Sequence, residues 1–154
     1  MRIEVLGPVR LIEETGRPVE VGERSLRVLL AALVAADGDP VPADVLVDRL
    51  WDQDLPQHPR KVLRAKLSRL RTTLERARSG ARELLQHTPA GYQLDLGAAE
   101  VDSHRFAALL EQARGAESSS ERERLLRDAL DLWRGPAYGD VADELWLGPV
   151  IASL

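Results

Sequence analysis

The sequence predicts an α+β protein: a small N-terminal antiparallel sheet, three helices and a β-hairpin, followed by an all-α helical hairpin. Three observations carry that prediction. Apolar and polar residues alternate through the opening residues, which is the two-residue period of strands. From Leu26 to Ala77 apolar residues recur at three- and four-residue spacing, the period of helices that bury one face. Two strand-like runs, Leu84–Thr88 and Tyr92–Leu96, flank the turn Pro89-Ala90-Gly91.

Taken in order, Arg2 to Leu6 alternates, Gly7-Pro8 interrupts it, and Val9 to Ile12 is β-rich. Thr15-Gly16-Arg17-Pro18 then turns the chain into Val19-Glu20-Val21. The first helix carries Leu26, Leu29, Leu30 and Leu33 on one face. Asp37-Gly38-Asp39-Pro40 stops it, because glycine caps a helix end and proline cannot continue one. A second helix starts near Pro42 and runs to Trp51, with Val45 or Leu46 and then Leu50 inward. Asp52 to Pro59 reads as a connecting loop. The third helix spans roughly Arg60 to Arg78, with Leu63, Leu67, Leu70, Leu74 and Ala77 forming a narrow apolar stripe. Opposite that stripe lie Lys61, Ala65, Ser68, Arg69, Thr72 and Arg76, flanked by Arg64, Lys66 and Arg71.

Beyond the hairpin the composition changes. Gly97-Ala98-Ala99 reads as a linker, and Asp102 is placed to cap a helix running to about Arg114, with Phe106, Leu109, Leu110 and Ala113 inward. Ser118–Glu123 offers a capping box in two registers, Ser118 with Glu121 or Ser120 with Glu123. The helix it starts carries Leu125, Leu126, Ala129, Leu130 and Trp133, and Gly135-Pro136 ends it. The two helices make a TPR-like hairpin. A third apolar segment begins near Glu144, and the expectation is that this helical part belongs to a longer protein. The chain divides into residues 1–97 and 98–154.

Composition narrows the function classes. Hydrophobic residues make up 44% and charged residues 30%, the balance of a globular protein. Without cysteine there are no disulfides and no thiolate metal sites. The N-terminus lacks the apolar core of a signal peptide and no run is long enough to span a membrane, so the expected location is cytoplasmic, without membrane partners. His58, His87 and His104 have no metal-ligand spacing, and neither a nucleophile elbow nor a glycine-rich phosphate cradle is present. No cofactor and no catalysis are expected. Trp51, Trp133 and Trp146 fall on apolar faces and read as core, and Ser118-Ser119-Ser120 reads as a helix cap.

The formal net charge of -4 hides an asymmetry: residues 60–82 hold nine Lys/Arg against one acid, Glu75. A solvated helix face normally interleaves acids four residues from its bases. A helix entering the major groove instead needs cations for phosphates and little bulk between them. The order of strands, two helices, loop, basic helix and hairpin is that of a winged helix-turn-helix, whose natural partner is double-stranded DNA.

SLRVLLAALVAADGDPVPADVLVDRLWDQDLP, HPRKVLRAKLSRLRTTLE and HTPAGYQL resemble the OmpR/PhoB-type winged helix of the Streptomyces antibiotic regulatory protein (SARP/AfsR) family. VDSHRFAALLEQAR and RLLRDALDLWRGPAYGDVADELW resemble the start of that family's bacterial transcriptional activation domain. The most specific marks are Leu50-Trp51, Ser68–Arg71, Gly91-Tyr92 and Leu132–Pro136. The resemblance implies a nucleoid-associated activator of antibiotic-biosynthesis type. It would bind promoter direct repeats as a side-by-side homodimer and contact RNA polymerase through the sigma factor region and core. Carried onto this chain, it makes Lys61, Arg64, Lys66, Ser68, Arg69, Arg71, Thr72 and Arg76 groove or phosphate contacts. Thr88 of the hairpin falls at the adjacent minor groove. Asp52, Gln53, Asp54 and Gln57 become candidates for facing the polymerase. The hairpin tip Thr88–Gly91 departs from the pattern, having no Arg or Lys. Two rival readings use the same elements: a protein-interaction scaffold built on the helical hairpin, and a repressor.

Overall fold

The computed structural model describes residues 1–97 and 99–154. Strands β1 (Arg2–Glu4), β2 (Arg10–Ile12) and β3 (Pro18–Val19) form an antiparallel meander. Ile3 pairs with Leu11, and both are fully buried, while the neighbouring Glu4 and Ile12 are also buried. Three helices follow: α1 (Arg24–Ala35), α2 (Ala43–Trp51) and α3 (Pro59–Ala77). Pro59 takes the first helical position of α3, where its missing N–H has no intrahelical role. A short 3-10 turn, Ala81–Leu84, leads into the hairpin of β4 (Leu85–Thr88) and β5 (Gly91–Leu94).

The expected apolar stripes meet in one core. Leu29, Leu30 and Leu33 of α1, Leu46 of α2, and Leu63, Leu67, Leu70 and Leu74 of α3 are all essentially inaccessible to solvent. Burying each such side chain stabilises the fold by about 1.5–3 kcal/mol. The stripe on α3 therefore fixes which face of that helix turns outward.

The second half of the chain is less separate than its composition suggests. Ala98, in the expected linker, lies outside the described residues, but Glu100–Val101 forms β6, which pairs in parallel with β1 and completes a sheet of order β3-β2-β1-β6. That pairing sets the start of α4 (Asp102–Gly115) over the end of β1. The capping role expected for Asp102 is consequently not found. Its carboxylate is buried and accepts the N–H groups of Val5 at 2.8 Å and Leu6 at 3.0 Å. These two donors lie past the end of β1, so the side chain satisfies groups that would otherwise be buried without partners.

Helix α5 (Ser119–Leu130) packs on α4, with Ala113, Leu125 and Ala129 buried, and Trp133 meets Phe106 edge-on at 5.4 Å. Of the two capping registers, the helix uses the first: Ser118 Oγ accepts the Glu121 N–H at 3.2 Å. Leu126 and Leu130 point outward, 40% and 67% exposed. Their places on the helix lie beyond the narrow seam that α4 covers. After α5 the chain runs alongside residues 5–9. Arg134 and Tyr138 donate their N–H groups to the carbonyls of Leu6 and Val5, at 2.8 and 2.7 Å, and Asp140 accepts the Val9 N–H at 2.8 Å. Ala137, Tyr138, Val141 and Leu147 thereby enter the same core as the three helices. A 3-10 turn (Leu145–Leu147) and α6 (Gly148–Ala152) follow, and Trp146 lies under the Arg49 guanidinium at 4.4 Å.

Candidate nucleic-acid interface

With its leucine stripe sealed against α1 and α2, α3 presents Lys61, Arg64, Ala65, Ser68, Arg69, Thr72 and Arg76 to solvent. The helix is about 28 Å long at 1.5 Å per residue. Its outer face alternates cations with the small side chains Ala65, Ser68 and Thr72, so the backbone can approach a partner closely between the charges.

The cations on this face differ in what already holds them. Lys61 and Arg64 make no hydrogen bond or ion pair with the described residues, and both are exposed. Arg69 is 66% exposed and reaches Glu23 Oε1 at 3.0 Å. Lys66 is different: only 15% of its side chain is exposed, and its ammonium donates to Glu23 Oε1 at 2.8 Å and Ser25 Oγ at 2.9 Å. The hydrogen bond from Lys66, reinforced by the nearby charges, holds the Glu23 carboxyl below its ordinary pKa. Arg76 donates to the Glu20 carbonyl at 3.1 Å. Arg71 is half-buried and donates through Nε to the Leu85 carbonyl at 3.0 Å, bracing α3 against the hairpin. The Thr72 hydroxyl bonds back to the Ser68 carbonyl at 3.2 Å. The structure thus brings Lys61, Arg64, Ser68, Arg69, Thr72 and Arg76 onto one exposed face, with Lys66 and Arg71 turned toward internal partners.

Thr88 shapes the hairpin turn, accepting the Ala90 N–H at 3.2 Å and donating to the Gly91 carbonyl at 3.1 Å. The hairpin is held to the helices by Val41, which exchanges both backbone hydrogen bonds with Tyr92, at 2.7 and 2.9 Å. His87 stacks on Tyr92 with ring centroids 4.3 Å apart. Asp52, Gln53, Asp54 and Gln57 are exposed on the loop between α2 and α3, next to Leu55, which is also exposed. Glu23, Ser25 and Val41, which hold Lys66, Arg69 and the hairpin in place, are contacts that sequence reasoning missed. The first two precede the periodic part of α1, and Val41 is a lone apolar residue between two prolines.

A second polar cluster, in the sheet, joins the two halves of the chain. Glu4 takes hydrogen bonds from Arg2 at 3.0 Å and Arg10 at 2.7 Å, and Arg134 Nε lies 3.2 Å away. Burial pushes the Glu4 carboxyl up, but the bonds from Arg10 and Arg2 and the charge of Arg134 outweigh it and leave the pKa below its ordinary value. Asp102 goes the other way: burial outweighs the Val5 and Leu6 donors and raises its pKa. Tyr138 is pushed up to about 12 by burial and then by the Asp102 charge. Among the described residues no group of three His, Cys, Asp or Glu could hold a metal ion, and no helix is long and apolar enough to cross a membrane.

A sheet, three helices with a basic third, and a hairpin pinned beside that third helix define a winged helix-turn-helix, here followed by a helical domain. Residues 16–94 match the family described as "Transcriptional regulatory protein, C terminal", and residues 101–154 match "Bacterial transcriptional activator domain". The chain belongs to this transcriptional-regulator family, within its SARP/AfsR branch. It is 34% identical over 145 residues to the transcriptional regulatory protein MoaR1 of Mycobacterium tuberculosis, covering 92% of this chain and 46% of MoaR1. It shares the same identity over 145 residues with the regulatory protein AfsR of Streptomyces coelicolor, covering 92% of this chain and 14% of AfsR. The chain therefore spans less than half the length of either relative. Mycobacterium tuberculosis EmbR, solved in complex with a low-affinity phosphopeptide, superposes with a TM-score of 0.86 at 30% identity, covering 99% of this chain and 41% of EmbR.

Proposed function

We propose that this chain is a sequence-specific transcription activator that binds promoter direct repeats through the major groove and recruits RNA polymerase. The observation that carries the reading is the outer face of α3, where exposed Lys61, Arg64, Arg69 and Arg76 are separated only by small side chains. Phosphates supply position and affinity to such a face, and base edges supply specificity. Arg64 suits phosphates and Arg69 phosphates or guanine edges, while Ser68 and Thr72 suit shorter hydrogen bonds. Lys66 and Arg71 hold the helix and hairpin in place, and Thr88 sets the shape of a tip that lies along the adjacent minor groove.

In this reading residues 1–97 bind DNA and residues 98–154 serve activation, with two copies side by side on the repeat. Asp52, Gln53, Asp54 and Gln57 face the sigma factor region and core of the polymerase, and the working location is the cytoplasmic nucleoid. The outward Leu126 and Leu130 favour a second reading, in which the helical hairpin is a protein-binding scaffold. Salt separates the two, because counterion release gives DNA binding a steep log-linear loss that protein contacts rarely show.

The test is fluorescence anisotropy with duplexes selected from a random-sequence pool, titrated across salt, for the wild type and Arg69→Ala. The expected outcome is a steep salt dependence, a sequence preference, and a loss of at least about 1 kcal/mol in the variant. Weak, salt-insensitive binding that the variant leaves unchanged moves the scaffold reading to the front.

A further inference from the structure

We propose that Glu23, locked by Lys66 and Ser25, is a specificity-determining positioning residue that aims Arg69 and penalises non-specific phosphate contact. The inference rests on the DNA-binding reading and deepens it. Three distances carry it: Lys66 Nζ to Glu23 Oε1 at 2.8 Å, Lys66 Nζ to Ser25 Oγ at 2.9 Å, and Arg69 Nη1 to Glu23 Oε1 at 3.0 Å. Lys66 is mostly buried and already spends two donors internally, so it is poorly placed to read a base. It serves instead as the clamp that fixes the Glu23 carboxylate. That carboxylate engages a single nitrogen of Arg69, whose guanidinium has no other partner among the described residues and is mostly exposed, with donors left for a bidentate contact. An arginine held this way loses less rotamer freedom on meeting guanine than a free one would.

The charge acts in the opposite sense on wrong sequences. Glu23 is a negative group beside the cationic face, and its repulsion of phosphate is felt on every duplex. Only a duplex that satisfies Arg69 returns something for it. Specificity built from an attractive contact and a matched repulsion is the usual physical form of discrimination between partners.

The experiment compares wild type, Glu23→Gln and Arg64→Ala on two duplexes of equal length and composition, one recovered by selection from a random pool and one shuffled. Anisotropy titrations across salt give affinity and salt slope, and a thermal melt confirms folding. Glu23→Gln, an exposed substitution, is expected to tighten binding to the shuffled duplex severalfold and to steepen its salt slope by about 1, since Arg69 is released to a phosphate. The ratio of selected to shuffled affinity is expected to fall about fivefold to tenfold, the scale of one guanine contact. Arg64→Ala is expected to weaken both duplexes alike. If Arg64→Ala behaves so while Glu23→Gln leaves ratio and slope unchanged, the role of Glu23 is overturned and the DNA-binding reading stands. If the wild type binds neither duplex with a salt-dependent affinity, both are overturned.

Discussion

Replacing Gly91 by alanine places a methyl group where the hairpin meets the helices. A Cβ built at Gly91 comes within 2.2 Å of the Val41 carbonyl oxygen, 2.5 Å of its carbon and 2.8 Å of Pro42 Cα, all of them backbone atoms that cannot rotate aside. The residue also sits at φ +135°, where an L side chain is strained. Relief requires β5 to move off Val41, which gives up the two hydrogen bonds of 2.7 and 2.9 Å. Each is worth about 0.5–1.5 kcal/mol net, and the backbone strain adds about 1–3 kcal/mol. Gly91→Ala is therefore expected to destabilise the chain by about 2–6 kcal/mol, a large share of the roughly 5–15 kcal/mol that holds an ordinary domain together. Urea denaturation followed by far-UV circular dichroism reads this as a fall in midpoint of about 1 M or more at the m-values usual for such chains. A midpoint within experimental error of the wild type would sink the prediction, because the clash would then have been absorbed without moving the hairpin.

Three further outcomes follow from burial and charge. Asp102→Ala removes the acceptor for the Val5 and Leu6 N–H groups and should cost about 2–4 kcal/mol in the same assay. Asp102→Asn tests the raised pKa of that carboxyl. A raised acid contributes its stability below its ordinary pKa and loses it as pH rises through the folded value, so the deficit of the variant should widen as the buffer goes from neutral to acidic. A deficit that narrows on acidification would contradict the burial argument. Leu67→Ala, at a fully buried position on the inner face of α3, should destabilise by about 2–5 kcal/mol in urea, and a loss well under that would mean α3 is not seated on its leucine stripe. Leu130→Ser should shift stability by no more than about 0.5 kcal/mol, since that side chain is 67% exposed, and a large thermal-melt shift would place it in a core.

The first half of the fold was legible because its signals are local and periodic. The spacing of Leu63, Leu67, Leu70 and Leu74 both predicts α3 and names its dry face, so the exposed row from Lys61 to Arg76 could be read directly. The same logic found α1, α2 and the hairpin to within a residue or two. What could not be read depends on partners far away in the chain. Glu100–Val101 is too short to signal a strand by itself and becomes one only because β1 offers an edge. Asp102 looks like a helix cap until Val5 and Leu6 are known to lie over it. Residues 134–140 have no period at all, since their order comes from bonds to residues 5–9. The apolar run on α5 extends beyond its buried seam, and among the described residues Leu126 and Leu130 are covered only in part, at 40% and 67% exposed. Within the interface, the pattern on α3 identified the cationic face but not which cations are free. Lys66 lies among the cations that read as DNA contacts, and only Glu23 and Ser25, far earlier in the chain, show that it is already engaged.

If the outer face of α3 meets the phosphates of duplex DNA, Lys61 and Arg64 should reveal it with the least disturbance. Both are exposed and without partners among the described residues, so their removal is expected to leave the rest of the fold in place. The measurement is the slope of log affinity against log salt for the wild type and for the Lys61→Ala, Arg64→Ala double variant on one selected duplex. The slope is expected to fall in magnitude by about 2, close to 0.9 for each phosphate no longer neutralised. An unchanged slope in a folded variant would contradict the assignment and place the DNA-facing surface elsewhere on the protein.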